Sequence, residues 1–90
     1  MKTMEDEIRA KAVAAMVQLE GELAKHKDTP ENFLWLGIDN KGVSLTEFAV
    51  HDKYGICRLS REDMVHGLTG VRWQNIFRSI MIFLRKENKK

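Results

Sequence analysis

Apolar residues recur every three or four positions near both ends of the chain, the pattern of helices that bury one face. The N-terminal repeat runs from Ile8 to Leu23. It follows Thr3 and an acidic first turn, which suit the start of a helix. The repeat stops near Lys27, ahead of Pro30. We therefore predict a long N-terminal helix.

A second helical repeat lies near the C-terminus and comprises Trp73, Ile76, Phe77, Ile80 and Leu84. It is followed by several basic residues, which suit a helix C-terminus. Before it, Ser60 and Asp63 have the spacing of a capping box. This spacing predicts a short helix over 61–68 that ends at Gly67 or Gly70, and a long last helix that continues to about Glu87.

Residues 31–60 fit two alternatives. In the first, residues 33–38, 43–50 and 54–59 are strands, and residues 39–42 form a hairpin turn closed by Gly42. In the second, Pro30 and the Ser44–Glu47 pair start short helices. We favour the strands and predict an α+β fold: a long helix, a three-stranded antiparallel meander, a short helix and a long helix. The two long helices would cover one face of the sheet, and an all-α bundle is the alternative.

The length of 90 residues is typical of one small domain, so we predict a single domain over 1–90 with a basic tail from about residue 87. Cys57 is the only cysteine, so no internal disulfide can form and a reducing compartment is favoured. The apolar runs, among them residues 80–84, are too short for a membrane span, and no secretory signal is recognisable. We expect a cytoplasmic protein that makes no membrane contact.

Charge is distributed unevenly although the net charge is only +2. Residues 1–52 carry six basic and ten acidic side chains, whereas residues 53–90 carry nine basic and three acidic ones. A basic half of this kind is compatible with a nucleic acid, an acidic protein or a second copy of the chain as partner.

Candidate catalytic and metal-binding residues are few. Cys57 with His51 or His66 as base is the one conceivable nucleophile, but no third group is arranged to orient the base. The histidines and the cysteine lack metal-site spacing, and Glu47 comes one position too early after Gly42 for a calcium loop. No glycine-rich phosphate loop is present. We predict no enzyme, no cofactor, no metal site and no small-molecule substrate, with a Cys57 enzyme as the least favoured alternative.

The last helix is apolar over an unusually wide part of its circumference, because Met81 and Ile82 lie off the main stripe. Either this helix buries two faces between the first helix and the sheet, or these residues form an interface rimmed by arginines. The second alternative predicts a non-catalytic inhibitor, adaptor or regulatory subunit that binds a protein partner or a second copy. Its candidate partner-binding residues are Arg72, Trp73, Arg78, Met81, Ile82, Arg85 and Lys86.

A nucleic-acid-binding regulator is the alternative function. The basic half would follow a phosphate backbone, and aromatic residues would stack on bases. The candidate nucleic-acid-binding residues are Arg58, Arg61, Arg72, Arg78, Lys89 and Lys90.

Overall fold

A computed structural model describes residues 3–47 and 55–88 of the chain. The elements in order are α1 (Met4–Lys25), β1 (Phe33–Asp39), β2 (Gly42–Thr46), β3 (Gly55–Ser60), α2 (Arg61–His66) and α3 (Gly70–Asn88). The predicted α+β class, with a long helix, three antiparallel strands, a short helix and a long helix, is confirmed.

The strand order is β2-β1-β3, so the arrangement is not the predicted meander, in which β2 would be central. β1 is the strand with two deeply buried leucines, Leu34 and Leu36, and both outer strands pair with it. Leu36 lies opposite Leu45 of β2, and Leu34 lies opposite Leu59 of β3. The central position of β1 follows from this apolar side, which neighbours on both sides help to bury.

The predicted second strand is also too long, since β2 ends at Thr46 and Glu47 lies beyond it. Residues 48–54 lie outside the described residues. The predictions for the rest of that strand, for the second turn and for the start of the third strand fall on these residues. In the described part, side chains alternate as expected, with Val43 and Leu45 toward the core and Ser44 and Thr46 on the other face.

α1 and α3 cover the same face of the sheet, α1 over β2 and α3 over β3, and they also pack against each other. One core joins all these elements. It contains Ile8, Ala12, Ala15, Met16, Leu19 and Leu23 of α1, Leu34, Leu36, Leu45 and Leu59 of the sheet, Met64 of α2, and Ile76, Ile80 and Met81 of α3. The second face of the sheet carries Phe33, Trp35 and Arg58, whose guanidinium lies 5.0 Å and 5.6 Å from the two ring centroids.

The helix starts are those the sequence predicts. Thr3 forms a capping box with Asp6, and Ser60 forms one with Asp63. α1 ends at Lys25, two residues before the expected end, and α2 ends at His66 with Gly67 as its cap. Among the described helices, none is long and apolar enough to cross a membrane.

The β1–β2 hairpin is attached to α1 at Gly42. Gly42 has a φ of +118°, and the next amide, that of Val43, donates a hydrogen bond to Gln18 Oε1 at 3.1 Å. A Cβ at Gly42 would lie 2.8 Å from that same oxygen. The position therefore requires glycine both for its backbone conformation and for the close approach of Gln18.

We expect Gly42→Ala to lower the free energy of unfolding by about 1–3 kcal/mol, because alanine is strained at this φ and displaces Gln18. Urea titration followed by circular dichroism measures the loss. Gly70→Ala is the control, since nothing lies within 4 Å of its added Cβ and its φ is not in the left-handed region. Equal stability of the two variants would contradict the tight contact at Gly42.

Candidate protein-binding groove

The last helix carries its main apolar stripe as predicted. Ile76 and Ile80 are fully buried, and Trp73, Phe77 and Leu84 pack against the core from its margin. The Trp73 and Phe77 rings are stacked with centroids 5.3 Å apart, and Trp73 Nε1 donates to Glu20 Oε1 of α1 at 3.0 Å. Trp73 thus fastens α3 to α1, and its indole nitrogen is already paired.

Met81 and Ile82 differ sharply in their surroundings. Met81 is only 4% exposed and belongs to the core, so it presents almost no surface to a partner. It is buried because α3 packs against both α1 and β3, as the alternative with two buried faces expects. Ile82 is 45% exposed, and it remains available to a partner.

A groove of about 500 Å³ runs along α3 beside α1. It is lined by Arg9, Gln74, Phe77, Arg78, Met81, Ile82 and Arg85. Its apolar part consists of Phe77, Met81 and Ile82. Phe77 and Met81 are four residues apart and so lie side by side on the helix, and Ile82 is the residue after Met81. The groove therefore combines apolar contact area with three arginines.

The arginines differ in how far the chain already satisfies them. Arg85 Nε donates to Glu5 Oε1 at 3.2 Å, and Arg85 Nη2 binds the same carboxylate. This hydrogen bond lowers the pKa of Glu5 and raises the pKa of Arg85. Arg78 has no ion pair with any described residue. Arg78 therefore gives the groove a positive charge with no ion-pair partner among the described residues, and Arg9 adds a second cation, which also helps to lower the pKa of Glu5.

Arg72, predicted as a partner-binding and a nucleic-acid-binding residue, is engaged inside the fold. Its Nε lies 3.2 Å from Asp63 Oδ2, and its Nη2 donates to the carbonyl oxygen of Arg58 at 2.7 Å. These contacts join α3 to α2 and β3. Lys86, the last predicted partner-binding residue, is exposed in the final turn and does not line the groove.

Three of the six predicted nucleic-acid-binding residues, Arg58, Arg61 and Arg72, already bind other groups of this chain. Arg58 is stacked on Phe33 and Trp35, and Arg61 donates to the carbonyl oxygens of Pro30 and Glu31. Arg72 is bound as described above, and Arg78 lies in the groove. Lys89 and Lys90 lie outside the described residues.

Cys57 lies on β3 at the margin of the core. Burial raises the pKa of its thiol, an effect that the neighbouring Asp63 reinforces and Arg72 opposes. A raised pKa keeps the sulfur protonated near neutral pH, which disfavours nucleophilic attack. His66 is exposed on α2, His51 lies outside the described residues, and the described residues contain no cluster of three metal-ligating side chains.

Sequence reasoning missed Arg9, Gln74 and Phe77 as groove residues. Arg9 belongs to α1, and its place beside α3 depends on how two distant helices pack. Phe77 was assigned to the core stripe, although the helical spacing of Phe77 and Met81 would have put them side by side.

No family model, characterised protein or solved structure matches this chain.

Proposed function

We propose that the protein is a non-catalytic binding module, an inhibitor, adaptor or regulatory subunit, that takes up a protein segment in the groove between α3 and α1. The observation that carries this proposal is the apolar strip formed by the exposed Ile82, the partly buried Phe77 and the largely buried Met81 beside the arginines of the groove. Apolar area with arginine at its border is typical of protein interfaces, and here Ile82 supplies the most exposed part of it. The cytoplasm remains the compartment we expect.

The charge of the groove specifies the partner. Arg78 and Arg9 favour carboxylates, to which a guanidinium can donate two parallel hydrogen bonds. Ile82 and Phe77 favour an aliphatic or aromatic side chain. The segment that fits both is acidic, with one or two large apolar residues among aspartates or glutamates.

Two further observations support binding rather than catalysis. Asp63 caps α2 and pairs with Arg72, so this buried acid already has a structural role. The raised pKa of Cys57 disfavours its use as a nucleophile. A nucleic-acid function gains no comparable support, because Arg58, Arg61 and Arg72 bind groups of this chain.

The test is selection of short random peptides displayed on phage against the immobilised protein, followed by affinity measurements on the enriched peptides. We expect acidic peptides that contain leucine or an aromatic residue. Ile82→Glu should weaken their binding at least about tenfold, since it places a charge in the apolar strip and a carboxylate beside the arginines.

Val71→Glu is the matched control, because Val71 is 75% exposed on the same helix and does not line the groove. It should leave Kd unchanged within about twofold, a difference well under 1 kcal/mol. Enriched peptides that are neutral or basic, or that bind Ile82→Glu as tightly as the unmodified chain, would overturn the proposal. So would salt-sensitive binding of single-stranded DNA or RNA that Ile82→Glu leaves intact.

A further inference from the structure

α1 is apolar on two opposite sides. Its inner side supplies six residues to the core. Its outer side, which we call the outer α1 face, consists of Ala10, Val13, Ala14, Val17, Gly21 and Ala24, all of them exposed. Val13 is 45% exposed and Val17 is 66% exposed. At 100° per residue these six positions cover about a third of the helix circumference. The charged residues between positions 10 and 24 all lie outside this arc.

An exposed helix face is normally polar, so this uncharged surface is unusual for a helix at the edge of a domain. Five of its residues, Ala10, Ala14, Val17, Gly21 and Ala24, alternate in spacing between four and three. This is the spacing of residues that form the seam between two paired helices. The outer α1 face is thus suited to a second helix along its whole length.

We infer that two copies of the chain pair through the outer α1 face, with the two α1 helices antiparallel about a twofold axis between residues 15 and 16. Ala14 of one copy then lies opposite Val17 of the other, and Ala10 lies opposite Gly21. A twofold axis makes the contact self-complementary and closes the assembly at two copies.

Charges at the ends of α1 fit this antiparallel arrangement. The acidic first turn, with Asp6 and Glu7, comes to the level of Lys25 and Lys27 of the second copy, since 1.5 Å separates successive residues. A parallel pair would instead place the two acidic turns side by side and align the helix dipoles.

Disulfide mapping in a Cys57→Ser background tests the orientation. In the antiparallel pair the two copies of residue 14 are offset by about 4.5 Å along the helix axes, whereas those of residue 24 are about 25 Å apart. Under mild oxidation we expect Ala14→Cys to form a cross-linked dimer and Ala24→Cys to remain uncross-linked. Equal cross-linking of both would overturn the antiparallel arrangement.

Sedimentation equilibrium tests the dimer itself. The unmodified chain should approach twice its 10.4 kDa mass as concentration rises. Val17→Glu should raise the dimer Kd at least about tenfold, whereas Val71→Glu, at a valine that is also well exposed, should not change it. Circular dichroism verifies that both variants fold.

A monomeric mass up to about 1 mM, or a dimer that Val17→Glu does not weaken, would overturn the inference. Ile82→Glu separates this inference from the proposed function, because it should weaken peptide binding in the groove at least about tenfold and leave the dimer intact. Loss of the dimer in Ile82→Glu with no effect of Val17→Glu would move the interface to α3 and likewise overturn the pairing through α1.

Discussion

Replacing Met81 with alanine is expected to lower the free energy of unfolding by about 2–5 kcal/mol, because a buried side chain is removed and a cavity remains. The same replacement at the adjacent Ile82 should cost less than about 1 kcal/mol, since that side chain is already half in solvent. Urea unfolding curves followed by circular dichroism measure both losses.

The comparison is informative because the two residues are neighbours in one helix and similar in size. A small domain has only about 5–15 kcal/mol of stability, so Met81→Ala should shift the unfolding midpoint strongly. The slope of the curves should stay the same for both variants, which verifies that the unfolded states are comparable. Equal losses would contradict the burial of Met81 and reopen it as an exposed interface residue.

The different burial of Met81 and Ile82 could not be predicted from the sequence, for a physical reason. The helical repeat in α3 identifies one stripe, and Met81 falls beside it, four residues after Phe77. A repeat reports how wide the apolar side of a helix is, but it does not report what covers each part. Since α3 contacts both α1 and β3, Met81 is buried in the core, whereas Ile82 remains exposed.

In the sheet, the local sequence likewise predicts some features and leaves others open. The Asp39–Gly42 sequence predicts the hairpin turn, and this turn is confirmed. Strand order depends on whether the third strand joins the free edge of β1 or that of β2, which long-range packing decides, and the order β2-β1-β3 was not predicted.

The candidate site was only partly predictable, because the sequence shows where the arginines are but not which groups of the folded chain they bind. Arg85 pairs with Glu5, which lies 80 residues earlier in the sequence. Arg61 is held by backbone carbonyls about 30 residues away. Such contacts separate the arginines that hold the fold together from those, such as Arg78, that remain available to a partner.

Asp63 is the buried acid on which the junction of α2, β3 and α3 depends. It is 9% exposed, and its Oδ2 accepts the amide of Ser60 at 2.9 Å and Arg72 Nε at 3.2 Å. The same Arg72 reaches on to the carbonyl oxygen of Arg58. One carboxylate therefore completes a capping box and orients the arginine that ties α3 to the sheet.

We expect Asp63→Ala to lower the free energy of unfolding by about 2–4 kcal/mol. The loss comes from the hydrogen bonds that the carboxylate accepts from the Ser60 amide and from Arg72. A hydrogen bond to a charged group is worth about 1.5–3 kcal/mol, and the Arg72 bond is worth less because that side chain is partly exposed. Glu62→Ala is the control, since Glu62 is an exposed acid in the same turn and should cost under about 0.5 kcal/mol.

Arg72→Ala and the double variant complete a cycle that isolates the pair. If Asp63 acts through Arg72, removing both should cost less than the sum of the single losses by about 0.5–3 kcal/mol, because the second removal no longer breaks an intact contact. Additive losses would mean that Asp63 acts through the helix cap alone. In that case α3 would be held to the sheet by the packing of its apolar side chains, without a contribution from the ion pair.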